Sequence, residues 1–404
     1  MNLRPWKSAL LCVFVAVMLV VGVSPMPTPS VTFAADPVAQ PKILMGPVLG
    51  WFDWNTFTVS AYADGPVEWS LGLDSSVFAV KLLRPQPSPY QTFQVTRLPQ
   101  MPGSPLPPAR IPYTLRARLP GSEPWQVSAS GSINMDQLGE RWTFVALGDS
   151  RTEPARWKSV VTAAALKDPR FIVHTGDFVG SGTVFQQWID EFARPAQTQL
   201  ATISFYAVLG NHEGGSETFD RIIATPGPRD HWAQLKGNVL LIGLDGGRDW
   251  SAQSDLYKWL ETILKDSRAP FIFVFSHYPV LSSSAHSGVD AQGKYVESAM
   301  RQAHDSLMPL CVKYHVTAFI AGHDHCYERS EPPGLTAITA GGAGAPSYGK
   351  RADAETQNPF SKVFHAGLHY LLLTVTPEGI HMDVLTPEGQ VLDQRDWKPR
   401  PATP

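Results

Sequence analysis

At 404 residues the chain is too long for a single core, and its 43% hydrophobic and 10% aromatic content excludes global disorder. A formal net charge of −3 excludes a basic surface built for nucleic acid, and no block of like charge marks an interaction tail.

The first 35 residues differ in texture from the rest. Arg4 and Lys7 give a positive start, Leu10 to Val23 carries no charge, and small residues lead to Ala34-Ala35. That order reads as a secretory signal peptide over residues 1–35 and predicts a secreted protein. The apolar run is shorter than the roughly 20 residues of a spanning helix, so membrane attachment follows only if the leader stays uncleaved. Beyond it only Cys311 and Cys326 remain, without zinc-finger spacing. They are open to pairing or to staying free, because sequence does not give their proximity.

Residues 36–139 read as an all-β sandwich. Phe57 to Tyr62 alternates. Val67 to Leu71 follows a turn at Asp64-Gly65-Pro66, and Phe93-Gln94-Val95 and Tyr113 to Ala117 are further strands. Proline and glycine cluster between strands, as from Pro102 to Pro108. Nothing in this stretch groups reactive side chains.

Residues 140–404 change to an α/β pattern. Apolar strands are predicted at Trp142–Leu147, Phe171–Thr175, Phe205–Leu209, Val239–Leu244, Phe271–Phe275 and Val316–Ala321. Helices are predicted at Trp157–Leu166, Asp255–Leu264 and Val296–Tyr314. Two closing strands, His369–Val375 and Gly379–Leu385, suit a second sheet.

The polar residues fall where the chemistry of such a fold collects. Asp149, Asp177, Asn211, His277 and His323 each follow the end of an apolar strand, and His325 comes two residues later. Carboxylate, amide and imidazole donors suit zinc, manganese or iron, and six of them exceed the needs of one tetrahedral ion. Two ions sharing a carboxylate neutralise phosphoryl oxygens and acidify bound water, which is what phosphate-ester hydrolysis needs. Taken singly, each residue has a plainer reading as a turn residue, a cap or a surface histidine. The joint placement at strand ends favours the metal.

The motifs Gly148-Asp149-Ser150-Arg151, Gly176-Asp177, Gly210-Asn211-His212-Glu213, Ser276-His277-Tyr278-Pro279 and Gly322-His323-Asp324-His325 resemble those of the calcineurin-like metallophosphoesterases. Cys326 to Arg329 and Gly341 to Pro346 resemble the purple acid phosphatase branch, whose members carry a fibronectin III-like sandwich before the catalytic domain. The resemblance implies an α/β four-layer fold, two mixed sheets between helices. It also implies two metal ions (Fe, Zn or Mn) and a phosphate-ester or phosphorylated substrate attacked by metal-bound hydroxide. By position, Asp149 and His325 would hold the first ion and Asp177 would bridge. Asn211, His277 and His323 would hold the second, and His212 would serve as acid or transition-state donor.

Two positions depart from the family pattern. Arg151 stands where the broad family has a first-site histidine, and Gly180 where the purple branch has a ligand tyrosine. The first site is thereby weakened, and the tyrosinate colour of the purple enzymes is not expected. Arginine keeps its proton and does not ligate, but it can clamp a phosphate. The competing expectation is a metal-depleted or single-metal pseudo-phosphatase serving as a phosphate-ligand binding module. His286 and Tyr348 read as loop residues with pocket contact as the alternative. His174, Trp157 and Trp188 read as core, and Cys326 as a buried spectator. Sequence sets no oligomeric state.

Overall fold

A computed structural model of the chain describes residues 40–73, 77–99, 109–135 and 138–401. The leader and the Pro102–Pro108 cluster lie outside the described residues. Residues 40–404 cluster as one body, and no helix among the described residues is long and apolar enough to cross a membrane.

The N-terminal part is all-β and antiparallel, built from Ile43–Phe52, Thr56–Leu73, Phe78–Leu82, Ser88–Arg97, Arg110–Arg118 and Val127–Asn134. The expected turn at Asp64-Gly65-Pro66 is not one: Thr56–Leu73 runs through it as a single strand. Its first half pairs with Ile43–Phe52 and Ser88–Arg97, and its second half with Arg110–Arg118. The register jumps between Tyr62 and Val67. Pro66, with no N–H to give a ladder, sits in that irregular stretch, which bends the strand instead of ending it.

Two mixed sheets follow. One has the order Val391–Trp397, Ile380–Leu385, Tyr370–Val375, Trp142–Leu147, Phe171–His174, Ser204–Ala207. The other runs His231–Lys236, Val239–Leu244, Phe271–Ser276, Ala318–Ala321, Thr336–Ala340, Tyr327–Ser330, Ser361–His365. Strand alternation sends one set of side chains between the sheets and the other outward. Phe144, Phe171, Phe273 and Phe275 share the inner core, where Phe144 meets Phe273 edge-on at 5.9 Å. Val145 and Leu147 face outward onto Trp157, Val160 and Val161 of the Pro154–Ala165 helix. On the opposite side, Ile242 and Leu244 meet Leu260 and Leu264 of Asp255–Asp266, a helix capped by the Ser254 hydroxyl. Helices thus cover both outer faces, giving the expected four layers.

The helix predicted over 296–314 divides into Ser298–Gln302, a π-helical turn at Ala303–Leu307, and Met308–Lys313. Pro309 lies just beyond the π turn and lacks the N–H that regular α-helix would require of it. The N-terminal strands are tied to the two mixed sheets. The buried Tyr206 hydroxyl accepts from Phe52 N–H (3.1 Å) and donates to the Phe52 carbonyl (2.7 Å), and Tyr113 donates to the Ala201 carbonyl (2.8 Å).

Candidate metal centre

The parallel strands Trp142–Leu147, Phe171–His174 and Ser204–Ala207 of one sheet end beside Phe271–Ser276 and Ala318–Ala321 of the other, and the turns after them bring the predicted residues together. Three of those residues are left-handed without being glycine: Asp149 (φ 62°), Asp177 (φ 58°) and His323 (φ 71°). Such backbone costs about 1–3 kcal/mol each and persists only where neighbours hold it. Asp149 is held by accepting His323 N–H on both carboxylate oxygens (3.1 and 3.0 Å). Asp177 is held by buried Glu213, which accepts N–H bonds from Asp177 and Phe178 (both 2.8 Å) and Gly210 (3.1 Å). Gly322 and Gly210 are fixed by crowding, since a Cβ at either would collide with the carboxylate of Asp149 or Asp177.

Three acceptor atoms lie within 3.3 Å of His277 Nε2. His277 Nδ1 donates to the Thr175 carbonyl (2.9 Å), leaving Nε2 with its lone pair. His323 Nε2 donates to Glu297 (3.0 Å), leaving Nδ1 free. His277 Nε2 lies 2.9 Å from Asn211 Oδ1 and 3.3 Å from Asp177 Oδ1. His323 Nδ1 lies 3.1 Å from Asn211 Oδ1 and 3.2 Å from His277 Nε2. Lone pairs so close repel unless a cation lies among them. Ligand atoms at ~2.0–2.1 Å from a tetrahedral ion stand roughly 3.4 Å apart, close to the spacing here. Asp177, Asn211, His277 and His323 therefore form a set that fits a metal ion. Burial holds His277 down at about 4, which keeps the imidazole neutral and ligand-ready.

The first-site residues also meet. Donor atoms of buried Asp149, Asp177 and His325 lie within 4.8 Å of one another. Arg151 reaches into this group, with Nε 3.4 Å from Asp177 Oδ2 and Nη2 3.2 Å from His325 Nε2. Burial, then the charge of Asp177, pushes Asp149 well above the ordinary carboxylate range. Burial works the same way on Asp177, but His277, His212 and Arg151 outweigh it and hold that carboxyl low. His325 is lowered to about 3 by burial and then by Arg151.

His212 lies at the rim. Its N–H donates to Asp177 Oδ1 (3.1 Å), its Nδ1 is held by the Gly180 carbonyl, and its Nε2 faces Asp177 Oδ2 at 3.7 Å. His286 comes into the site, its ring 4.2 Å from that of His323, and Tyr348 stacks on His325 at 4.1 Å. Glu297 escaped the sequence reading. Though burial raises its pKa, hydrogen bonds from His286 and His323 hold it at about 2, and in turn it raises His286. Asp324 turns away from the metal donors. It accepts from the Ser282 hydroxyl and from His286 N–H (3.0 Å), fixing the loop that carries His286. His174, Trp157 and Trp188 are core, and Cys311 and Cys326 are free and buried.

Residues 143–327, which carry the donors at the strand ends of the two facing sheets, match the family described as calcineurin-like phosphoesterase. Within that class the chain is similar to purple acid phosphatases. It is 28% identical over 317 residues to tartrate-resistant acid phosphatase type 5 of Oryctolagus cuniculus, covering 67% of this chain and 92% of that one. It is 27% identical over 189 residues to probable inactive purple acid phosphatase 24 of Arabidopsis thaliana, covering 41% of this chain but only 30% of the plant protein. The purple acid phosphatase isolated from yellow lupin (Lupinus luteus) seeds shares the fold, with a TM-score of 0.71 at 17% identity over 87% of this chain and 74% of that one.

Proposed function

We propose that the chain is a secreted, metal-dependent phosphoesterase acting on a phosphate-ester small molecule or a phosphorylated substrate. The observation that carries this reading is the placing of acceptor atoms of Asp177, Asn211 and His323 at 2.9–3.3 Å from the His277 Nε2 lone pair. An ion held there supplies a Lewis acid for a phosphoryl oxygen and acidifies bound water. His212 stands at the rim with Nδ1 tied to a carbonyl, which orients Nε2 toward a leaving oxygen as acid or transition-state donor. Arg151 contributes a fixed cation with Nη1 available to a phosphate oxygen, met otherwise by the Thr152 hydroxyl at 3.4 Å. Asp149 and His325, with Asp177, make up the first position of the family's metal pair. Export is inferred from the leader alone, in residues 1–35.

The test is a panel of aryl monoesters, diesters and nucleotides, run on purified mature protein with Fe, Zn or Mn restored singly. Turnover that chelation abolishes and metal returns is expected. A metal-loaded protein that turns over none of the panel but binds phosphate favours the binding-module reading. That reading draws some support from relatives named as probable inactive phosphatases.

A further inference from the structure

Asp177 gives its two oxygens to different neighbours. Oδ1 faces the four-donor set, 3.3 Å from His277 Nε2. Oδ2 faces Arg151 Nε at 3.4 Å. The aspartate thus bridges a metal-type donor set on one side and a guanidinium on the other. The guanidinium also takes the remaining partner of the first position. His325 Nδ1 donates to the Pro346 carbonyl (2.7 Å), so Nε2 holds the only lone pair in the ring plane, and that lone pair is directed at Arg151 Nη2, 3.2 Å away. A metal ion at the first position needs the same lone pair, at ~2.0–2.1 Å.

The surroundings keep Arg151 where it is. Its side chain is only 16% exposed. Tyr348 stacks on His325. No tyrosine arrives from the opposite turn, because that position is Gly180. Its N–H donates to Glu191 (2.8 Å) and its carbonyl holds His212. Charge points the same way. The Arg151 guanidinium already places a positive charge beside Asp177, and a second dication at the first position would stand against it.

We propose that the Arg151 guanidinium takes the place of the first metal ion, so that the centre holds a single ion at Asp177, Asn211, His277 and His323. The inference rests on the metal-centre reading above. A second ion does not fit the residues present at the first position. Arg151 acts there as a non-exchangeable cation that shares Asp177 with the one bound ion.

Mn²⁺ alone, added in excess to the metal-free mature protein and freed of unbound ion, provides the test. Elemental analysis is expected to find one equivalent, with the electron paramagnetic resonance pattern of an isolated, uncoupled ion. Arg151→His restores the Asp-x-His arrangement and is expected to take up a second equivalent with a spin-coupled spectrum. Arg151→Ala releases the same His325 lone pair and is expected to do likewise, which keeps the test open should the histidine variant misfold. Two coupled equivalents in the parent, or none, overturn the inference. So does a second equivalent that fails to appear in the folded variants. Phosphoester turnover is read separately. An inactive parent with one ion defeats the phosphoesterase reading and leaves this inference standing; an active parent with two coupled ions does the reverse.

Discussion

Glu213 has no exposure and touches no donor atom of the metal set, yet it holds the turn that presents Asp177. Its Oε2 accepts from Asp177 N–H (2.8 Å) and Gly210 N–H (3.1 Å), and its Oε1 from Phe178 N–H (2.8 Å). Glu213→Ala leaves these donors buried without partners. Each orphaned donor costs about 1–3 kcal/mol, and the side-chain void adds to it, while partial hydration relieves some. A loss of about 3–5 kcal/mol is expected, a large share of the 5–15 kcal/mol typical of a folded protein. Burial, then the charge of Asp177, pushes Glu213 up to about 8. Glu213→Gln is therefore the useful comparison, being neutral and of the same shape. It keeps one acceptor oxygen but turns an NH₂ toward donors at the other, and about half the loss is expected. Urea unfolding of the metal-free proteins measures both, with metal affinity read alongside. An alanine variant within about 1 kcal/mol of the parent, with unchanged affinity, would refute the view that this carboxyl holds the Asp177 turn.

Other expectations follow from single residues. His277→Ala removes a proposed ligand whose Nδ1 is anchored on the Thr175 carbonyl, and elemental analysis should find the ion lost while circular dichroism is unchanged. His212→Ala should lower kcat by about 10²–10⁴-fold with metal content retained, as the proton-transfer role proposed for it requires. Tyr206→Phe should cost about 1–2 kcal/mol in denaturant unfolding, since it leaves the buried Phe52 N–H without its acceptor, while the Phe52 carbonyl keeps Gln234 and Lys236 as donors. Lys236 is 4% exposed, and burial lowers it from 10.5 to about 7. The folded state favours the neutral amine, so unfolding takes up a proton between those pH values. Stability of the metal-free protein should therefore rise across that window, by up to about 4 kcal/mol, and Lys236→Met should abolish the rise.

Much of the site was legible because buried parallel strands are continuous apolar runs, and a polar residue just after such a run is conspicuous. Asp149, Asp177 and His277 were visible for that reason. Residues that reach the site from loops left no such mark. Glu297 precedes a helix in an ordinary charged stretch, and only the folded chain brings it to His323. Arg151 was recognisable as a non-ligand, but its contact with His325 spans 174 positions and has no sequence signature. Thr56–Leu73 was divided at Asp64-Gly65-Pro66 because turn residues and bulge residues share a composition; the pairing partners on either side decide between them.

Asp324 gives the metal motif a second reach. Flanked by two histidines that face the site, it faces the opposite way and fastens the backbone of His286. The loop over the reacting region therefore takes its height from the same three residues that set the donors. Drift in that loop would disturb the donors themselves. Change in substrate preference in such a molecule is then expected through side-chain exchange at Tyr348 or His286, with the loop's path left as it is.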